Sequence, residues 1–261
     1  MPEGHTIHRL ARDHRRLLGG RTVRASSPQG RFTEGAARLD GRVLDTTDAV
    51  GKHLLHRYGD LWLHVHLGLY GTFVAGAAPA PEPRGALRLR LQSDQHWFDL
   101  RGATACELLD PLQVAVLRNR LGPDPLRRGA DPDRAWARLS RSRVAVGALL
   151  MDQTVLAGVG NVYRAELLFR HRLEPHTPGR AVPRELWEAL WTDLVVLMRA
   201  GVRSGRIVTT EPADRPAGRV RRETAHYVYR RAGLPCRVCG SEIRTEPMVA
   251  RNLFWCPSCQ V

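Results

Sequence analysis

The sequence predicts an α+β multidomain chain, and three patterns carry that prediction. Residues 20–110 alternate apolar and polar positions in short runs, as half-buried strands do. Residues 134–203 place apolar side chains at helical spacing. Four of the five cysteines fall into two Cys-x-x-Cys pairs near the end of the chain. With 261 residues there is room for two domains, or one plus a small appendage.

Taken in order, Gly4 to Leu18 reads as a helix flanking the strand region. Arg21-Thr22-Val23-Arg24, Leu61 to Leu67 and Ala86 to Leu91 read as strands, with turn signals at Gly59-Asp60 and in the Pro/Ala stretch 76–84. A sandwich or barrel over residues 1–121 satisfies that pattern. The Pro-, Gly- and Asp-rich run from Gly122 to Pro132 reads as an interdomain linker over 122–133. A helical domain over 134–231 follows, clearest in Leu186, Trp187, Leu190, Trp191, Leu194 and Leu197; its last part, 203–231, is arginine-dense and weakly periodic.

The cysteines define residues 232–261 as a unit of their own. Cys236 and Cys239 are separated by sixteen residues from Cys256 and Cys259. Each pair supplies two thiolates, and two pairs complete a tetrahedron around one structural Zn²⁺ with no open position for catalysis. So short a segment cannot bury a core, and metal binding supplies its folding energy. Two disulfides would suit a secreted chain better. Cys106 lies in an apolar run and reads as a core residue.

Charge narrows the function. Forty basic residues against 26 acidic give a formal charge of +14, which points to a polyanionic partner, most simply nucleic acid. No apolar run reaches the ~18 residues of a membrane span and no signal peptide opens the chain, so a cytoplasmic, nucleoid-associated protein is expected. Of the forty basic residues only Lys52 is a lysine. Arginine matches lysine in phosphate contacts but cannot release its proton, so Lys52 is a candidate for proton transfer or a confined point charge; a biased composition could also leave its last lysine there by chance.

Two shorter signals add chemistry. Removal of Met1 before Pro2 would leave a secondary α-amine, which titrates near ~8 and is partly neutral at pH 7, with Glu3 beside it as a proton carrier. Farther on, Ala157-Gly158-Val159-Gly160-Asn161 is a glycine-rich turn entering a helix that Asn161 is placed to N-cap. Such a turn presents free N–H groups to an anion, or is an ordinary capped turn between helices.

Together these residues resemble the formamidopyrimidine-DNA glycosylase/endonuclease VIII family. The resemblance runs through Met1-Pro2-Glu3-Gly4, Gly51-Lys52, His66-Leu67-Gly68-Leu69-Tyr70-Gly71, Leu121 to Leu126, Asp152 to Asn161, and Arg251 to Gln260. It implies an N-terminal β-sandwich catalytic domain, a helix–two-turn–helix domain and a C-terminal four-cysteine zinc finger. It also implies a bifunctional DNA glycosylase/AP lyase that works as a monomer on damaged DNA, with no organic cofactor. Pro2 then matches the Schiff-base nucleophile, Glu3 its acid/base partner and Lys52 a lysine that contacts phosphate and assists proton transfer. Gly160, Asn161 and Arg251 match phosphate contacts, and Leu69 and Tyr70 match side chains inserted where the damaged base leaves the stack.

Two departures bear on substrate and activity. The extra Arg-Phe pair of formamidopyrimidine-type members is absent after Asp99-Leu100-Arg101-Gly102, which with Leu69-Tyr70 favours oxidised pyrimidines. Thr6 stands where most members carry a second early glutamate. The alternative is a damaged- or abasic-DNA-binding paralogue with little chemistry; intact Pro2, Glu3 and Lys52 favour the enzyme. Histidines 53, 56, 64 and 66 read as solvated or phosphate-facing, not as a second metal site.

Overall fold

Helix α1 (Gly4–Leu18) comes first in a computed structural model that describes residues 2–261; Met1, with the expectation of its removal, lies outside them. Its buried Ile7, Ala11, His14 and Leu18 recur every three or four residues and form one face. The chain continues through β1 (Thr22–Ser26), α2 (Thr33–Leu39), β2 (Arg42–Val43), β3 (Thr46–Val50) and β4 (His53–Tyr58). Then come β5 (Leu61–His66), β6 (Thr72–Ala77), β7 (Leu87–Gln92), β8 (His96–Arg101), β9 (Ala105–Leu109) and α3 (Pro111–Asn119). The strands form two antiparallel sheets, β2-β1-β7-β8-β6 and β3-β4-β5-β9. Val23, Leu89, Leu91, Phe98 and Leu100 of the first sheet pack with Leu54, Leu63 and Val65 of the second, and α1 adds Ile7 and Leu18 to the same core. This is the expected β-sandwich with its flanking helix.

Because paired residues share a face, register sorts the second sheet. Leu54 opposite Val65 faces the core, whereas His53 opposite His66, and His64 opposite Glu107, lie on the other face. The strand histidines therefore separate into two groups. His56 points into the core and meets His14 of α1, with Nδ1 of His14 3.0 Å from Nε2 of His56. His14 packs against Phe73 and Phe98, and burial holds both imidazoles neutral, His56 pushed down to about 3. The expectation of solvated or phosphate-facing histidines fails here, because a polar residue on the core face is invisible without the register.

This pair predicts acid lability. Unfolded histidines titrate near 6.5, so below that pH the unfolded chain takes up protons that the folded chain refuses. Stability is fully present above pH ~6.5 and lost as pH falls, by about 1.4 kcal/mol per pH unit for each histidine. Calorimetry should show the melting temperature of the N-terminal unit dropping steeply from pH 6.5 to 4.5, and a His14→Leu/His56→Leu double variant should flatten that slope. A wild-type melting temperature constant over this range would refute the prediction.

The chain divides between Arg120 and Leu121. The second unit contains α4 (Pro132–Leu139), α5 (Val146–Leu149), α6 (Asn161–Arg170), α7 (Arg184–Ser204) and the hairpin β10 (Arg244–Met248)–β11 (Arg251–Trp255). Residues 121–125, the start of the stretch read as a linker, are buried in this unit. Gly122 N–H donates to Gln153 O at 2.9 Å, and a Cβ at Gly122 would lie 2.3 Å from Val155 O. That glycine serves close backbone packing, so the start of the stretch is no free linker.

Helix α6 is buried from Asn161 to Phe169, because it packs on two sides. Val162, Tyr163, Leu167 and Leu168 are buried, the last three in a core with Trp187, Leu190, Leu194 and Met198, while Ala165 and Phe169 meet Tyr227, Ile243 and Phe254 near the zinc-finger cysteines. Its Glu166, fully buried, accepts from the Thr209 hydroxyl and from three successive amides, Tyr227, Val228 and Tyr229, at 2.7–2.8 Å. The arginine-dense segment is thereby anchored at both ends. Among the described residues no helix is long and apolar enough to cross a membrane.

Candidate active site and nucleic-acid interface

Glu3 is the N-cap of α1, fully buried, its backbone oxygen accepting from Thr6 N–H at 2.9 Å; Pro2 beside it is half-buried. Both sit at the N-terminus of α1, where the first backbone N–H groups carry partial positive charge. Lys52 occupies the two-residue turn between β3 and β4, where Gly51 adopts φ +57°, a left-handed conformation that glycine reaches without steric cost. Helix α1 packs on β3 and β4, so the element bearing Pro2 and Glu3 lies on the hairpin whose turn bears Lys52.

Next to Lys52 a hydrogen-bonded chain crosses three strands. His64 Nδ1 is 2.9 Å from Glu107 Oε1, and His64 Nε2 is 2.8 Å from His53 Nδ1. A carboxylate only accepts, so His64 donates from Nδ1 and accepts at Nε2, which makes His53 Nδ1 a donor and leaves Nε2 of His53 an acceptor. The His66 ring lies against that of His53, tilted by 46° with ring centroids 5.0 Å apart. Burial keeps these imidazoles neutral, His53 pushed down to about 3 with help from His64, His66, Arg120 and Lys52.

Leu69 and Tyr70 lie side by side in the loop between β5 and β6, 40% and 84% exposed. Against this loop runs the connection from β8 to β9, only residues 102–104. A Cβ on Gly102 would lie 3.1 Å from Tyr70 O, and Thr104 N–H donates to His66 O at 2.9 Å. Asp99, in β8, is held by a bidentate Arg90 at 2.7 and 2.9 Å.

In the second unit, Gly160, extended at φ −127°, is the N-cap of α6, and Asn161 is its first helical residue. This corrects the N-cap expectation: the Asn161 side chain instead donates from Nδ2 to Asn252 O at 2.9 Å, across to the β10–β11 hairpin. Arg251 opens β11 directly after a two-residue turn, Val249-Ala250, with both residues at positive φ, +52° and +54°. A β-branched residue there costs roughly 1–3 kcal/mol, strain of the kind found at functional sites.

The four zinc-finger sulfurs all lie within 4.8 Å of one another, with Cys236–Cys259 at 3.9 Å and Cys239–Cys256 at 3.4 Å. A tetrahedron of Zn–S bonds of ~2.3 Å has edges of about 3.8 Å, so the cluster fits zinc. Gln260 ties it to the helices, accepting from Cys256 N–H at 2.9 Å and donating to Leu173 O at 3.0 Å.

Comparison with known proteins matches this arrangement part by part. The formamidopyrimidine-DNA glycosylase N-terminal domain matches residues 1–106, its H2TH domain 121–212, and the zinc finger found in FPG and IleRS 233–261. Endonuclease 8 1 of Mycobacterium tuberculosis is 53% identical over the whole length of both chains. The chain belongs to the formamidopyrimidine-DNA glycosylase/endonuclease VIII family. Within the family, the formamidopyrimidine-DNA glycosylase of Thermus thermophilus is 32% identical, with 100% of this chain and 98% of the relative covered. The Lactococcus lactis enzyme solved with abasic-site DNA shares the fold, with a TM-score of 0.82 at 21% identity over 99% of both chains.

The family is one of DNA glycosylases of base-excision repair, and the four cysteines hold its structural zinc. Cys256→Ser, or exhaustive chelation, should release the metal, free the hairpin that carries Arg251 and weaken DNA binding, while Arg251→Ala should weaken binding with zinc retained. Metal analysis beside a DNA titration checks both; a protein without stoichiometric zinc would contradict the prediction. Sequence reasoning missed Arg164 and Glu166, since a charged residue inside a helix ordinarily marks its solvent face; the clue was a short helix with apolar residues on more than one side.

Proposed function

We propose that this protein is a bifunctional DNA glycosylase/AP lyase acting as a monomer on oxidised bases, pyrimidines favoured. The observation that carries the reading is that α1, whose N-terminus bears Pro2 and the buried Glu3, packs on the hairpin whose turn bears Lys52. A neutral Pro2 amine attacks C1′ of the damaged nucleotide and the base leaves with its bonding pair, protonated on departure. The sugar ring opens to an iminium on Pro2. Loss of the C2′ proton expels the 3′ phosphate, and a second elimination expels the 5′ phosphate. Glu3 and Lys52 handle the protons.

Gly160, Asn161 and Arg251 serve as phosphate contacts, and the exposed Leu69 and Tyr70 as the wedge that partly offsets the few kcal/mol of unstacking. The pyrimidine preference is supported by the short 102–104 connection, Gly102-Ala103-Thr104, which lacks the Arg-Phe pair, and by similarity to a protein named Endonuclease 8 1. Borohydride trapping on abasic-site DNA is the test, alongside excision from an oxidised-pyrimidine duplex and an 8-oxoguanine:cytosine duplex. A covalent adduct with faster pyrimidine excision is expected. Tight binding without any adduct would instead support the paralogue that only binds damaged DNA.

A further inference from the structure

An asparagine amide offers an oxygen and an NH2 of nearly equal shape, and its neighbours decide which way it turns. Three residues along α6 from Asn161 stands Arg164, fully buried. A guanidinium only donates, so the atom that receives Arg164 Nη2 is Oδ1 of Asn161. The other end of the amide faces Asn252 O at 2.9 Å, which only accepts. Both constraints select the same orientation. An NH2 carries two hydrogens, and the Asn252 carbonyl takes one; the second is left as a donor.

The same guanidinium reaches the hairpin turn from two sides. Nη1 donates to Met248 O at 3.3 Å, and Nη2 lies 3.5 Å from Asn252 O. Met248 and Asn252 bracket the strained Val249-Ala250 turn and Arg251. A charge in the interior is costly unless it is hydrogen-bonded, and here Nη1 and Nη2 are used on the backbone and amide that surround the two side chains read as phosphate contacts.

We propose that Arg164 is a positioning residue for DNA binding. One buried cation turns Asn161 so that it presents a donor and not an acceptor to a phosphodiester, and holds the turn from which Arg251 projects. Two side chains separated by ninety positions are thereby offered to the strand together. The inference rests on the reading of Asn161 and Arg251 as phosphate contacts.

The test uses the full, zinc-loaded chain and a duplex carrying a stable abasic-site analogue. Asn161→Ala and Arg251→Ala should each weaken binding, Asn161→Ala by roughly tenfold. Arg164→Met should lose at least as much as Asn161→Ala with its zinc content unchanged, and adding Asn161→Ala to it should cost little more, because coupled residues are not additive. Additive losses, or wild-type affinity for Arg164→Met beside a weakened Asn161→Ala, would overturn the proposal. Wild-type affinity for both Asn161→Ala and Arg251→Ala would overturn the phosphate reading instead.

A second variant covers the case in which Arg164→Met fails to fold. Asn161→Asp keeps an oxygen toward Arg164 and adds a charge that pairs with it, while removing the NH2. Its melting temperature should equal or exceed that of wild type and its DNA affinity should fall at least as far as for Asn161→Ala. Asn161→Asp binding as tightly as wild type would sink the donor argument.

Discussion

A protein that keeps any residue ahead of Pro2 will bind abasic-site DNA and give no borohydride adduct. Acylation turns the proline nitrogen into an amide whose lone pair is delocalised into the carbonyl, so it cannot add to C1′. The amine of the added residue is displaced by about one residue length, ~3.8 Å, from the position Pro2 occupies, enough to lose a near-attack geometry that tolerates far smaller errors. Pro2→Gly should lose trapping as well, because it replaces a secondary amine fixed by its ring with a primary amine on the most flexible residue. For both variants we expect at least a ~10²-fold loss of adduct, with DNA affinity within a few-fold of wild type. Intact mass by mass spectrometry must accompany the gel. Full trapping by a protein whose mass shows the extra residue would remove Pro2 from the mechanism.

Some of this was legible in the sequence for simple physical reasons. Strands of a sandwich bury one face, so alternation marked β5 and β7, and thiolate spacing marked the zinc site because a tetrahedron needs two close pairs. Other features depend on a second packing layer that one-dimensional patterns do not carry. His53, His56 and His64 looked solvated because a histidine among apolar residues has no signature of its own; register alone sends His56 to the core and His64 to Glu107. Gly122 and Pro123 carry linker composition yet pack backbone to backbone. Arg164 and Glu166 lie on a helix buried on two sides, so their charges turn inward and organise the hairpin and the arginine-dense segment.

Lys52→Arg separates two roles that the same charge could play. If the lysine only contacts phosphate, arginine should preserve most activity, since a guanidinium binds phosphate well. If it must pass a proton in a confined turn, arginine's pKa above ~12 and its wide planar fork disable it. The surroundings favour confinement. Lys52 shares a two-residue turn with Gly51 and neighbours neutral His53 and His66, whose imidazoles its charge helps to keep unprotonated. We expect excision of a damaged base to fall by ~10²-fold or more, a typical contribution of a positioned acid or base. Cleavage at a preformed abasic site should suffer less, because that sugar already offers Pro2 an aldehyde and no base has to be protonated. Single-turnover rates on the two substrates measure the split. Equal losses on both would assign Lys52 to phosphate positioning, and wild-type excision by Lys52→Arg would leave the sole lysine as an accident of composition.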